Sequence, residues 1–391
     1  MNEQCAAIIG MGFIGAAHLE ALRRLGVTVR IVGSSPASSA ASAAHHGVQS
    51  LPDWQAAIAD PEVTVIHNCS PNDLHSQINL AALRRGQHVF SEKPLGCTAE
   101  DTALQLEVAR ASGLRHGVHF TYRGYPMVRE LRERVERGDI GELRFIRGRY
   151  FQDWLLKPDA YNWRLEARAS QTRVVSDIGS HLLDLTRYVT GLEPTRLMAR
   201  FAQMHETRLR PAASATQTFA SADGHGAADT VQSASTAQNE YTVQNEYTVQ
   251  SEDQATLLVE YGARVSANFE VAQVYAGHLN DFALELFGTR GSLMWTQERP
   301  EELTYGQRDQ PLETLRKSAV MSSATAAMAH YPAGHPEGYP DAILNVIRAF
   351  YKGIGGEVSE YPSFYDGHAA ALVVAAAFRS HDSGGAWVAL D

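Results

Sequence analysis

The segment Asp177-Ile178-Gly179-Ser180-His181 places a carboxylate and an imidazole four positions apart. On a helix that spacing puts both side chains on one face, one turn from each other. A carboxylate so placed can orient the imidazole, fix its tautomer and stabilise its protonated form, which suits a general base near neutral pH. Upstream, Ser91-Glu92-Lys93-Pro94 offers an ammonium group that can donate a proton or stabilise a charged oxygen. Only four of the 34 Lys and Arg residues are lysines, so a lysine here is not compositional noise. Asp184, three positions beyond His181, is a second carboxylate that can reach the imidazole, with a structural salt bridge as its competing role.

These groups need elements to carry them. Cys5–Ile9 is a short apolar run ending at Gly10-Met11-Gly12-Phe13-Ile14-Gly15, and Ala16–Leu25 then carries helical periodicity. Strand, G-x-G-x-x-G and helix, in that order, form a dinucleotide-binding turn. Gly10 permits the tight turn, Gly12 lets backbone approach a pyrophosphate, and Gly15 lets helix and strand pack closely. Phe13 and Ile14 open the helix whose N-terminus faces the anion.

Val27–Val32 reads as the second strand. A carboxylate at its end normally accepts the adenine ribose hydroxyls of NAD. Here Gly33-Ser34-Ser35 stands instead, which removes repulsion against a 2′-phosphate, and no arginine follows to clamp one. NAD and NADP both remain open, with Ser34 and Ser35 as candidate contacts. Further strands are expected at Val63–Asn68, Gln87–Phe90 and Leu114–Phe120, giving a parallel sheet of about six strands. Ligands gather at the C-terminal ends of such strands, which places Ser70, Pro71, Asn72, His75, Glu92 and Lys93 at the cofactor. Asn72 as a plain helix start and Glu92–Lys93 as a solvated pair are the competing readings.

Beyond residue 150, Tyr150–Trp154 and Tyr161-Asn162-Trp163-Arg164 cluster aromatics with Gln152, Asp153, Asn162 and Arg164. Rings that cover C–H faces and planar polar tips that bond hydroxyls make a carbohydrate-binding surface, and a core or interface could use the same residues. Residues 212–250 are poor in large apolar side chains and contain Gln238–Val243 repeated as Gln244–Val249. No core can be built from them, so they read as a surface insertion. Tandem duplication without function is the favoured origin, a hairpin edge the alternative. Ala255–Tyr261, Arg264–Val271 and Ala283–Phe287 then read as antiparallel strands.

At 391 residues two domains are the default, expected at 1–124 and 125–391. A net charge of -10 argues against nucleic acid as a partner. No apolar run spans a bilayer, and the N-terminus lacks the features of a signal peptide, so a cytoplasmic location away from membranes is expected. Cys5, Cys69 and Cys97 are odd in number and read as reduced thiols. The sixteen histidines form no metal-binding motif, so no metal is expected.

Glycine fingerprint, SEKP and DIGSH, in this order, resemble the Gfo/Idh/MocA oxidoreductases over nearly the whole chain. VIHNCSPNDLH, HFTYRGYPMV, FQDWLLKPDAYNWR, SDIGSHLLDL and HPEGYPDA are similar to a branch that includes levoglucosan dehydrogenase-like enzymes. The resemblance implies a Rossmann domain with a doubly wound parallel sheet, followed by an α+β domain on a large open, mostly antiparallel sheet. It implies Lys93, Asp177 and His181 as catalytic residues, and adds Tyr122, Arg123, His335 and Tyr339 to the substrate contacts. A missing acid after the second strand and His119, where asparagine is common, depart from the pattern.

The function implied is NAD(P)-dependent oxidation of a secondary alcohol of a sugar, anhydrosugar or cyclitol by a homodimer or homotetramer. A reductase of a keto sugar or imine, or a dinucleotide-binding regulator without catalysis, are the alternatives.

Overall fold

A computed structural model describes residues 4–166, 170–210, 245–318 and 321–390. Two sheets organise them. The first is built from β1 (Cys5–Ile9), α1 (Phe13–Arg24), β2 (Thr28–Val32), α2 (Pro36–His46), β3 (Gln49–Ser50), α3 (Trp54–Ala59), β4 (Val65–Asn68), α4 (Asn72–Arg85), β5 (His88–Ser91), α5 (Ala99–Ser112) and β6 (His116–Val118). Its six strands are all parallel in the order β3-β2-β1-β4-β5-β6. The order reverses direction at β1 and β4, which opens a ligand crevice at their C-terminal ends. β1 and β4 are almost wholly buried, as strands covered on both faces must be.

A 3₁₀ turn (Thr121–Gly124) leads into α6 (Pro126–Glu136) and β7 (Leu143–Phe151). After α7 (Ser180–Thr190) come β8 (Arg196–Ala202), β9 (Thr207–Arg210) and β10 (Asn245–Thr248). The chain continues through β11 (Gln254–Tyr261), β12 (Val265–Ala272), β13 (Asp281–Gly288), β14 (Gly291–Thr296), β15 (Glu302–Gln307) and β16 (Glu313–Arg316). It closes with α8 (Ser323–Ala326), α9 (Tyr339–Ile354), α10 (Phe364–Asp382) and β17 (Val388–Ala389). The second sheet has nine strands, β16-β15-β14-β13-β7-β12-β11-β8-β17, antiparallel except for the β7–β12 pair. Period-two burial along β11 and β12 shows one face packed and the other open. Both parts of the expected fold class are therefore present.

The expected boundary at residue 124 separates the sheets, yet two later helices return across it. Ile343, Leu344, Ile347 and Phe350 of α9 share a core with Ala6, Ile8 and Leu22, while Phe364 and Ala370 of α10 pack among Val89, Val118 and Phe120. The catalytic junction is thus braced by helices from the far end of the chain. Most of the 212–250 insertion, including the first repeat copy, lies outside the described residues. Asn245–Thr248 of the second copy form β10, an antiparallel partner of β9, which is the hairpin alternative for that copy.

Candidate active site

β5 delivers Glu92 and Lys93 at its C-terminal end, and a π-helical turn (Val175–Gly179) delivers Asp177 from the other sheet's domain. The two meet: Lys93 Nζ donates to Asp177 Oδ1 and to the Asp177 carbonyl oxygen, both at 2.8 Å. Arg164 Nε stands 3.3 Å from the same carboxylate, and Gln273 Nε2 donates to its other oxygen at 2.8 Å. Burial pushes the Asp177 pKa up, but Lys93 and Arg164 outweigh it and hold the carboxyl well below the usual range. Asp177 therefore anchors the lysine.

That corrects one expectation. Asp177 was expected to orient His181, yet its carboxylate is fully engaged by Lys93, Arg164 and Gln273, and no hydrogen bond joins it to the imidazole. The spacing assumes an α-helix; the wider π turn, a form frequent at functional sites, rotates each residue by less. His181 is the second residue of α7 and is held by ring packing instead, edge-on to Tyr122 at 5.0 Å and to Phe120 at 5.8 Å between centroids. Its Nδ1 is buried without a hydrogen-bond partner. Burial pushes its pKa down and the Lys93 ammonium adds to this, so the imidazole is neutral at pH 7. Asp184 takes its competing role: it accepts from Arg123 Nε at 2.8 Å and Nη2 at 2.5 Å.

The glycine turn fits a dinucleotide. A Cβ on Gly15 would lie 2.0 Å from the Gly10 carbonyl, and one on Gly10 would lie 2.3 Å from the Cys69 carbonyl. Around Gly12 nothing stands within 4 Å, so this backbone is open to close approach by a phosphate. Gly12 is the N-cap of α1 and makes no side-chain bond, and Phe13, Ile14 and Gly15 form the helix's first turn. The other cofactor candidates divide. Ser34 and Ser35 are exposed at the end of β2, although Ser35 also caps α2 through Ser38 N. Ser70 Oγ donates to Asn68 at 2.6 Å, Pro71 precedes α4, and Asn72 is its first residue. His75 spends both ring nitrogens on carbonyls, Pro94 at 2.7 Å and Ser70 at 2.9 Å, so it staples the two loops that face the crevice.

Glu92 turns inward. Its Oε1 meets His18 Nε2 at 3.1 Å and His119 Nδ1 at 2.5 Å, and Oε2 accepts from Lys93 N at 3.2 Å. Burial raises its pKa, but the two imidazoles dominate and hold it well below the usual carboxylate range. His67 and Thr121 complete the chain, at 3.0 Å from His18 and His119 respectively. Three such donor atoms could in principle hold a metal ion. His18 Nε2 also lies 3.1 Å from His119 Nδ1, so the three donor atoms converge on one point beneath the lysine. Only the His119 departure hinted at it in the sequence.

The expected substrate residues also divide. Gln152, Trp154, Asn162, Trp163 and Arg164 lie on one loop: Trp154 Nε1 donates to Gln152 at 2.9 Å, and Asn162 Oδ1 accepts from Arg164 N at 3.1 Å. The Arg164 guanidinium covers the Trp163 ring at 4.5 Å and reaches Asp177, tying this loop to the site. Tyr122 packs on His181 while its hydroxyl is 2.6 Å from that of Tyr150, and Tyr339 borders Thr121, Tyr122 and Glu92. Two residues stand apart from these. Arg123 is buried between Asp184 and Asp366 and spends Nε and Nη2 on their carboxylates. His335 is exposed in a surface turn, its carbonyl accepting from Lys317 at 2.9 Å. Gln273 was missed as a site residue because nothing in its spacing links it to Asp177, and Tyr150, read only as one ring of the aromatic cluster, reaches the Tyr122 hydroxyl.

A dinucleotide domain feeding a lysine onto a second domain's acid defines an oxidoreductase. Residues 5–120 match the oxidoreductase family's NAD-binding Rossmann fold and 128–294 match the GFO/IDH/MocA C-terminal domain. The chain belongs to the Gfo/Idh/MocA oxidoreductase family. Levoglucosan dehydrogenase of Pseudarthrobacter phenanthrenivorans is 27% identical over 395 residues, 95% of this chain and 95% of that one. The solved structure of a levoglucosan dehydrogenase with NADH and L-sorbose is similar at TM-score 0.86, 25% identity and 100% coverage of both chains. An inositol dehydrogenase homologue of Azotobacter vinelandii, with NADH and myo-inositol, shares the fold at TM-score 0.80 and 24% identity over 99% of this chain and 98% of that one.

Proposed function

We propose that the protein oxidises a secondary alcohol of a sugar, anhydrosugar or cyclitol with NAD(P), with Lys93 and His181 as the reacting pair. The observation that carries this is the clamped ammonium: Lys93 Nζ is fixed by two bonds from Asp177 beside a neutral imidazole. Two of its three protons are committed, so the third is left for a substrate oxygen. Neutral His181 accepts the hydroxyl proton through Nε2, and Lys93 stabilises the alkoxide as it forms. A nicotinamide ring, when bound, supplies the two-electron acceptor. Arg164, stacked on Trp163, and Asn162 supply the planar polar surface that hydroxyls require. The relatives' substrates, levoglucosan and myo-inositol among them by name, support this class.

NAD is the cofactor named for the matching Rossmann domain. The exposed Ser34 carries no charge against a 2′-phosphate, so NADP stays open as the alternative. Phe145, Leu258 and Phe287, exposed on β7, β11 and β13, support a homodimer or homotetramer that covers the open sheet. A cytoplasmic setting accords with three free cysteines, and no helix of the described residues is long and apolar enough to cross a membrane.

The test is a panel of sugars, anhydrosugars and inositols with each cofactor, followed by nicotinamide absorbance. Turnover of at least one, abolished in His181→Ala while NADH still binds, is expected. No turnover across the panel, or full turnover by His181→Ala, overturns the proposal.

A further inference from the structure

The β9–β10 arm grips the loop that carries Trp154, Asn162, Trp163 and Arg164. Arg208 of β9 is almost wholly buried; both terminal nitrogens are spent on partners, while Nε has none among the described residues. Nη1 donates to the carbonyls of Lys157 at 2.8 Å and Ala160 at 3.2 Å, and Nη2 to the carbonyl of Leu155 at 2.9 Å. His205 Nε2 lies 2.8 Å from the Leu156 carbonyl, and Leu209 N donates to Pro158 O at 3.3 Å. From β10, Tyr247 donates to the Leu165 carbonyl at 3.2 Å and meets the Tyr161 ring edge-on at 5.7 Å. A loop has no ladder of its own to satisfy its carbonyls. Here the arm satisfies them from end to end.

The same arm is tied to the helix that holds Asp177. Arg208 Nη2 also donates to Asp253 Oδ1 at 3.1 Å, and that carboxylate pairs with the buried Arg173. Glu252, next in the chain, accepts from Arg173 N at 3.0 Å and Val175 N at 3.1 Å, capping the π turn. One buried unit of Arg208, Asp253, Arg173 and Glu252 thus fixes the substrate loop and the Asp177 turn relative to each other. Arg164 and Asp177 meet across that unit.

We propose that Arg208 is a positioning residue for substrate recognition, and that the β10 copy of the duplicated hexapeptide serves it through Tyr247. Neither touches substrate; both set where Arg164, Asn162 and Trp163 stand when it arrives. The inference rests on the sugar dehydrogenase reading, and its test separates the two.

The full-length protein, Arg208→Met and Tyr247→Phe are compared in three measurements: sugar kinetics, NADH affinity by fluorescence, and acrylamide quenching of tryptophan without substrate. Trp154 and Trp163 both lie in the gripped loop. Losing Arg208's charged hydrogen bonds should raise KM for the sugar about tenfold or more, with kcat within about threefold and NADH affinity within about twofold. Tyr247→Phe should raise KM by about two- to fivefold. Quenching should increase in Arg208→Met. Unchanged KM in both variants overturns the proposal, as does a parallel loss of kcat, KM and NADH binding, which marks general destabilisation. If Arg208→Met does not fold, Tyr247→Phe decides alone. If the wild type turns over no sugar, the functional reading fails, and quenching that Arg208→Met leaves unchanged refutes the positioning role separately.

Discussion

Replacing Lys93 by methionine tests the central geometry with little risk to the fold. Methionine keeps most of the side chain's apolar length, and Asp177 retains Arg164 at 3.3 Å and Gln273 at 2.8 Å, so its carboxylate is not orphaned. What is lost is the Lys93 ammonium proposed to face the reacting oxygen. Removing one such stabilising donor costs about 10²–10³ in kcat, or roughly 2.7–4 kcal/mol of transition-state stabilisation. A second consequence follows from His181, whose pKa is held down first by burial and then by the Lys93 ammonium. The base must be unprotonated, so the acid limb of kcat/KM for alcohol oxidation reports His181 of the free enzyme. Burial and the Lys93 ammonium hold that limb down, so without Lys93 it should move to higher pH. Stopped assays of kcat and kcat/KM from pH 5 to 9, with NADH binding as a control, read both effects. A kcat within about threefold of wild type, or an acid limb that moves down or stays in place, refutes the assignment of Lys93.

Ser34→Asp restores a carboxylate at the exposed end of β2 and should lower kcat/KM for NADP about tenfold or more while sparing NAD, as measured by cofactor kinetics. Gly33 is the wrong position for this change, since a Cβ there would stand 2.8 Å from both Ser38 Oγ and Ser39 N. Gly15→Ala forces a Cβ to 2.0 Å from the Gly10 carbonyl and should abolish NADH binding or soluble expression. Retained tight binding would contradict the fit of the turn. Arg123→Met strands Asp184 in the interior and should cost about 3–5 kcal/mol in urea unfolding. A loss below about 1 kcal/mol would mean that Arg187, 2.7 Å from Asp366, takes over.

The nucleotide half was legible because every signal in it is local. Gly10, Gly12 and Gly15 report backbone contacts within one turn, and the strands at Val65–Asn68 and His88–Ser91 are buried along both faces, so they show no alternation of buried and exposed residues. The junction was only half legible. Lys93, Asp177 and His181 stand out in the sequence, but their pairing does not, because α-helical spacing suggests Asp177 with His181 and a lysine 84 positions away wins the carboxylate. Arg123 illustrates the opposite failure: its place beside a substrate-like motif gave no sign of Asp184 and Asp366, the latter 243 positions on. Polar networks of that range leave no periodic trace. The insertion misled for another reason: composition marks Asn245–Thr248 as coreless, yet a strand needs only a partner edge and one half-buried tyrosine contact to form.

Glu92 and Lys93 are adjacent, but they answer to different halves of the molecule. Glu92 belongs to the imidazoles under the nucleotide sheet, and Lys93 belongs to an acid on the opposite lobe. Competence is therefore a property of the seam. Without the opposite lobe the ammonium would lose its aim, because both hydrogen bonds described for Lys93 Nζ go to Asp177. For recombination among relatives the rule is simple: a foreign substrate lobe inherits the chemistry if it brings the counterpart of Asp177 to the same peptide bond. New sugars can then be reached by exchanging lobes, with the reacting pair rebuilt each time the halves close.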